Sequence, residues 1–275
     1  MSDDANKPLD PSDQKKLKAR GHGFGASYKP FIQIQDLSSS GESVRAPGRV
    51  TGRIHHLLSG IEFAAFSIFD WYHDTADIRE QFPLPLEETI RLCAEMGIKH
   101  PQIRGKLKIV TTDLLVDFRE GPPLAIAVKP VSELGKARTI EKLQIEKAYW
   151  EQAGVGWKLF TDREVSPSLK ENLQWIRPAL ADIRWEQFSS EVEDSSSTEL
   201  ITRLATYSEQ KATRCCARLD DEYGLEPGSH VQMLRYGVAT RQIKAPLQKA
   251  YHDWKCSELV FDGVASTQWR LSHAN

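Results

Sequence analysis

With 275 residues and 40% hydrophobic content, the chain can bury a sizeable core, and its length favours two domains of ordinary size. Lys and Arg number 36 against 38 Asp and Glu, and a net charge of −2 excludes binding to polyanions through overall charge; nucleic-acid contact has to rest on local basic patches. Cys93, Cys215, Cys216 and Cys256 form no CxxC pair and no apolar run approaches the ~18 residues of a membrane span, so a reduced, cytoplasmic protein with no membrane partner is expected.

Residues 1–20 are polar, carry Pro8 and Pro11, and read as a disordered or loosely docked tail. The glycine-rich GHGFGASYKP (21–30) lacks both a preceding strand and a Walker lysine, which makes it a turn and not a phosphate loop. From Arg53 to Phe69, the residues Ile54, Leu57, Leu58, Ile61, Ala65, Ile68 and Phe69 recur at helical spacing and predict one amphipathic helix with Glu62 at the edge of its buried face. His55 and His56 fall in that helix with no further partner at zinc spacing, so they read as ordinary helix residues or, at most, DNA contacts.

ADIREQFPL predicts a strand, and PLEETIRLCAEMGI a short helix with Pro85 near its start and Gly97 near its end. Two strands follow over 111–119 and 124–130, joined by the turn EGPP, then a helix over 138–153 and a strand WKLFTDREV. This order describes an α/β domain with a mixed sheet. The polar, acidic SSEVEDSSSTE (189–199) places a linker or subdomain boundary between about 165 and 195. Beyond it, ELITRLATYS, ATRCCARLDDEYGL and GSHVQMLRYGVAT predict three helices, the third capped by Ser229, and HDWKCSELVFDG strand and turn. Three helices and a hairpin fit a winged-helix-like module, a fold that binds DNA in some proteins and protein in others. The tryptophans Trp150, Trp157 and Trp175 fit core packing better than base stacking.

Chemistry concentrates in the hairpin of 111–130. Alternation puts Asp113, Leu115 and Asp117 on one face of its first strand, and Ala125, Ala127 and Lys129 on one face of its second. If Asp113 faces Lys129, a carboxylate and an ammonium meet at a sheet edge, with Glu62 as a candidate second carboxylate. Carboxylates hold a hard cation such as Mg²⁺ through oxygen, and a lysine beside them can position or help deprotonate a water, or neutralise charge on a phosphate. The plain alternative is a surface ion pair. Basic patches lie at 13–20, 97–108 and 241–249.

The stretches DLSSSGESVR, TGRIHHLLSGIE, DIREQFPL, GIKHPQIRG, TTDLLVDF, AIAVKP and YWEQAGVGWKLFTDREVSPSLKENLQW, in this order and over nearly the whole length, resemble the TnsA endonuclease subunits of heteromeric cut-and-paste transposases. The resemblance implies a restriction-endonuclease-like catalytic domain, here 21–167, followed by a mainly α, winged-helix-like C-terminal domain, 168–275. It implies Mg²⁺-dependent cleavage, with Mn²⁺ able to substitute, of the 5′ strands at the DNA ends of a transposon. The partners it implies are the DDE transposase TnsB, which cuts the 3′ strands, and the AAA+ ATPase TnsC, reached through the C-terminal domain. Glu62, Asp113 and Lys129 match the family's catalytic acid, metal-binding aspartate and lysine, and Val128 would offer its backbone carbonyl to the metal. Two residues before the lysine the family usually holds glutamine, and related nucleases an acid, where this chain holds Ala127. A methyl group coordinates no cation, so a second expectation stands beside the first: a DNA- and protein-binding scaffold subunit that does not cut.

Overall fold

A computed structural model describes residues 6–37, 42–182 and 190–262. Within them the chain forms two compact units, residues 1–165 and 166–275. The first contains α1 (Pro11–Leu17), β1 (Val44–Pro47), β2 (Ile54–Leu57), α2 (Gly60–Trp71), β3 (Thr75–Pro83), α3 (Leu86–Met96), β4 (Gln102–Ile103), β5 (Lys106–Leu107), β6 (Thr111–Phe118), β7 (Leu124–Val128), α4 (Ala137–Gln152) and β8 (Gly156–Phe160). The second contains α5 (Pro167–Asp182), α6 (Ser190–Ala205), α7 (Ala212–Tyr223), α8 (Ser229–Ala239), β9 (Ile243–Lys244) and β10 (Val260–Phe261). No helix among the described residues is long and apolar enough to cross a membrane.

A mixed four-stranded sheet of order β3-β6-β7-β8 organises the first unit. β3, β6 and β7 are antiparallel, and β7 pairs with β8 in parallel through the α4 crossover. Strand alternation splits the sheet's side chains between two cores. Ile78, Leu114, Val116, Ile126 and Val128 pack with Ala65, Phe66 and Phe69 of α2, while Leu115 and Ala125 pack with Cys93 of α3 and Ile145 and Trp150 of α4. Each fully buried Leu or Ile contributes about 1.5–3 kcal/mol, which locks the register and therefore the facing of the polar residues between them.

The predicted helix from Arg53 is a strand followed by a helix. Residues 54–57 pair with β1, and α2 starts only at Gly60, where the Ser59 hydroxyl accepts the Glu62 N–H at 3.1 Å. His55 is fully buried, bonded to the Glu80 carboxylate at 2.8 Å and the Thr51 hydroxyl at 2.7 Å, and Arg53 forks onto the same Glu80. His55 is thus a strut between β2 and β3, neither a helix residue nor a DNA contact.

The N-terminal segment is not a loose tail from residue 6 onward. Asp10 caps α1 through the Ser12 N–H at 2.9 Å, and the buried Asp13 accepts the Ile109 N–H at 3.0 Å and pairs with Lys108. The strand expected over 157–165 stops at Phe160, because Glu164 turns back onto the Thr161 N–H at 2.6 Å.

In the second unit the predicted break is helical. α5 spans Pro167–Asp182 and α6 begins at Ser190, while residues 183–189 of that break and 263–275 of the C-terminal stretch lie outside the described residues. Leu200 and Leu204, one turn apart and buried, anchor the far half of α6. Ser229 is not the cap of α8: Gly228 holds that position, and the Asp220 carboxylate of α7 accepts the Gly228 and His230 N–H groups at 2.7 and 2.9 Å. β9 and β10 form a two-stranded antiparallel ribbon, with residues 245–259 between them instead of a tight turn. Trp254, fully buried, donates to the carbonyls of Pro246 and Lys249 and packs edge-on against Trp175.

Candidate active site

Asp113 stands near the start of β6 and is 8% exposed. Its Oδ2 accepts the Val128 N–H at 2.6 Å and the Lys129 ammonium at 2.8 Å. The same ammonium donates to the Val128 carbonyl at 2.6 Å. Two oxygens that the family resemblance assigns to a metal thus converge on one cation. Burial works against the Lys129 charge, but Asp113, Glu146 and Glu62 outweigh it and raise its pKa above the ordinary lysine value. Lys129 is therefore a standing cation and hydrogen-bond donor, not a proton acceptor.

Glu62 arrives from the first turn of α2, carried by a Ser-x-x-Glu arrangement. Its Oε1 accepts the Ser59 hydroxyl at 3.2 Å and its Oε2 the Leu58 N–H at 3.0 Å. Burial first, then the negative charge of Asp113, pushes its pKa up to about 8.

Three strands contribute one row. The register pairs Glu80↔Leu114 and Phe82↔Thr112 set Gln81 opposite Asp113, and Leu114↔Ile126 sets Asp113 opposite Ala127, which pairs in turn with Leu159. Ala127 is fully buried and brings only a methyl to this face. Gln81, 2% exposed, has φ +50, a left-handed backbone in mid-strand that costs a non-glycine residue of order 1–3 kcal/mol.

Sequence reasoning missed two members of the site. Gln81 is one; the other is Glu146 on α4, 5% exposed, whose pKa burial and the Asp113 charge push to about 8. Its Oε1 is buried without a hydrogen-bond partner. Glu146 lies in a buried stripe with Leu143 and Trp150, and an acid inside an apolar stripe was the legible signal. Likewise SGIE (59–62) announces the true start of α2.

The donor set is all oxygen, from Glu62, Asp113, Glu146 and the Val128 carbonyl, the chemistry a hard divalent cation selects. The orphaned Glu146 oxygen fits such an ion better than it fits a closed hydrogen-bonded core. Among the described residues, no group of three or more His, Cys, Asp or Glu side chains is placed to hold a metal ion; Asp113 and Glu62 are tied to Lys129, Ser59 and Gln81.

The basic patches differ in availability. In 13–20, Lys16 and Arg20 pair with Asp36, and in 241–249, Lys244 and Lys249 pair with Asp262 and Glu258. In 97–108, Lys108 pairs with Asp10 and Asp13, whereas Arg104 and Lys106 flank the turn between β4 and β5 beside Ile103, which is 58% exposed. On α4, Lys142 has its pKa lowered by burial and by Arg138 and Lys129, which themselves pair with Glu141 and Asp113.

The model described as TnsA-like endonuclease N terminal matches residues 72–162, and that described as TnsA endonuclease C terminal matches residues 164–247. The transposition protein TnsA of transposon Tn7, from Escherichia coli, is 38% identical over 253 residues, 91% of this chain and 91% of that relative.

Proposed function

The chain belongs to the TnsA endonuclease family, and from that premise we propose that it is the subunit that hydrolyses the 5′ strands at transposon ends, with Mg²⁺ as cofactor and Mn²⁺ as a substitute. The observation that carries the reading is the convergence of Asp113 Oδ2 and the Val128 carbonyl on one cationic group, with Glu62 bound to the same Gln81 amide as Asp113. Glu62, Asp113, Glu146 and the Val128 carbonyl would hold the ion, which when bound supplies a Lewis acid and a water of lowered pKa.

The side chains do the rest. Lys129 keeps its proton and donates to the attacking water or to a phosphate oxygen, stabilising charge that grows as the phosphodiester bond breaks. α2 and the sheet hold Glu62 and Asp113 at fixed positions, so little is reorganised during reaction. The partners of this reading are transposon-end DNA, TnsB for the 3′ strands, and TnsC, reached through the winged-helix-like second unit.

Asp113→Ala and Lys129→Ala test the assignment in a cleavage reaction with TnsB. Both variants should lose 5′ nicking by about 10²-fold or more; nicking that survives in Asp113→Ala refutes the site.

A second reading rests on Ala127, whose methyl occupies the place beside Asp113 where a polar side chain would reach the ion. On that reading the chain assembles with TnsB, TnsC and DNA ends but releases no 5′ ends. Assembly without cleavage, restored to cleavage by Ala127→Gln, would establish it.

A further inference from the structure

Gln81 has a complete set of hydrogen bonds, and the set is unusual. Its Nε2 donates to Asp113 Oδ1 at 3.2 Å and to Glu62 Oε2 at 3.4 Å, and its Oε1 accepts the Thr111 hydroxyl at 3.1 Å. The reverse orientation would aim the amide oxygen at two carboxylates, so one orientation alone is consistent with these partners. The amide thus spans two acids that come from different elements, α2 and β6, and that repel each other when both are charged.

The backbone beneath it is held in an unfavourable conformation. Gln81 has φ +50, and its carbonyl accepts the Phe31 N–H at 3.3 Å, while the neighbouring Glu80 carbonyl accepts the Tyr28 hydroxyl at 3.1 Å. Tyr28 and Phe31 are buried. A strained residue fixed by packed neighbours at a carboxylate pair marks a constraint kept for function. The other flank of Asp113 carries Ala127, so in this row the amide comes from β3 alone.

We propose that Gln81 is the positioning residue of this centre: its amide cross-links Glu62 and Asp113, holding the two carboxylates at the spacing at which they share a divalent cation. The inference rests on the metal-site reading above. It assigns Gln81 no contact with DNA; the residue acts through the acids it orients, as groups behind metal ligands do.

The test is Mn²⁺ titration of the full-length chain by calorimetry, together with melting temperatures with and without Mg²⁺. Glycine adopts a positive φ without the Cβ penalty, so Gln81→Gly removes the amide and the strain together. It should melt no lower than the parent in chelator, bind Mn²⁺ about 10–100-fold more weakly, and show a smaller Mg²⁺-induced rise in melting temperature. Thr111→Val, which frees the amide oxygen, should weaken Mn²⁺ binding by a smaller factor. Gln81→Gly binding within about twofold of the parent overturns the inference. If Gln81→Gly does not fold, Thr111→Val decides: weakened binding supports the role, unchanged binding overturns it. Asp113→Ala separates the two levels. If it binds Mn²⁺ as the parent does, or the parent binds none, the metal-site reading falls and the inference with it; if Asp113→Ala abolishes binding and Gln81→Gly does not, the inference alone falls.

Discussion

Glu146→Gln should stabilise the metal-free chain while disabling it. The Glu146 carboxyl is 5% exposed, one of its oxygens has no hydrogen-bond partner, and burial with the Asp113 charge holds its pKa at about 8 against an ordinary 4.5. A raised carboxyl pKa means that the folded state is at no disadvantage below 4.5 and loses stability as pH rises toward about 8. At pH 7 the cost has grown over about 2.5 pH units at roughly 1.4 kcal/mol each, so about 3 kcal/mol. Glutamine has the same shape and no charge, and removes that cost. In chelator, Glu146→Gln should raise the melting temperature of the first unit by about 6–12 °C at pH 7, at about 2–4 °C per kcal/mol. At pH 5 the gain should shrink to a few degrees at most, under about 1 kcal/mol. The same variant should bind Mn²⁺ more weakly and cut more slowly. Calorimetric melts between pH 5 and 8 provide the assay; a variant no more stable than the parent at pH 7, or a gain independent of pH, refutes the claim that this acid is buried at a cost.

Glu80 carries the opposite sign. Burial would raise its pKa, but Arg53 and His55 overcome this and hold it at about 2, so its contribution is present above pH 4.5 and lost as pH falls toward 2. Glu80→Gln should cost about 3 kcal/mol at pH 7, a difference that shrinks as pH falls from 4.5 and closes toward pH 2, as read by acid unfolding followed by circular dichroism. On the β4–β5 turn, Arg104→Ala with Lys106→Ala should weaken DNA binding and lower the slope of log K against log salt by about two; an unchanged slope places the DNA elsewhere. In the second unit, Asp220→Ala strands the Gly228 and His230 N–H groups and the His230 ring, and should cost about 3 kcal/mol in urea unfolding.

Where one periodicity dominated, the sequence was readable. β3, β6, β7, α3 and α4 lie where alternation, helical spacing and the Pro85 and Gly97 signals place them, because each buries a single face or is bounded by a strong turn residue. Residues 53–58 fit a helical stripe on hydrophobicity alone. What makes them a strand is polar: His55 and Arg53 find their partner in Glu80, on a strand distant in sequence. Polarity misled in the other direction at 190–199, where a run of Ser and Glu suggested a linker but the chain is already helical, continuous with the predicted helix that buries Leu200 and Leu204. In the site, the facing of Asp113, Ala127 and Lys129 was legible from strand alternation, whereas the Val128 carbonyl entered only through the family resemblance. Gln81 was not, and Glu146 showed only as an acid inside an apolar stripe, since the placing of β3 and α4 beside Asp113 exists only once the sheet has closed.

The most direct test of the central claim is strand-specific cleavage of a transposon-end duplex labelled separately on each strand, with TnsB, in Mg²⁺ and in chelator. The parent chain, Ala127→Gln and Asp113→Ala would be compared side by side. The account predicts Mg²⁺-dependent nicking of the 5′ strand by the parent, nicking at least as fast by Ala127→Gln, and none by Asp113→Ala. A parent that leaves the 5′ strand uncut, or equal cutting by Asp113→Ala, would contradict it.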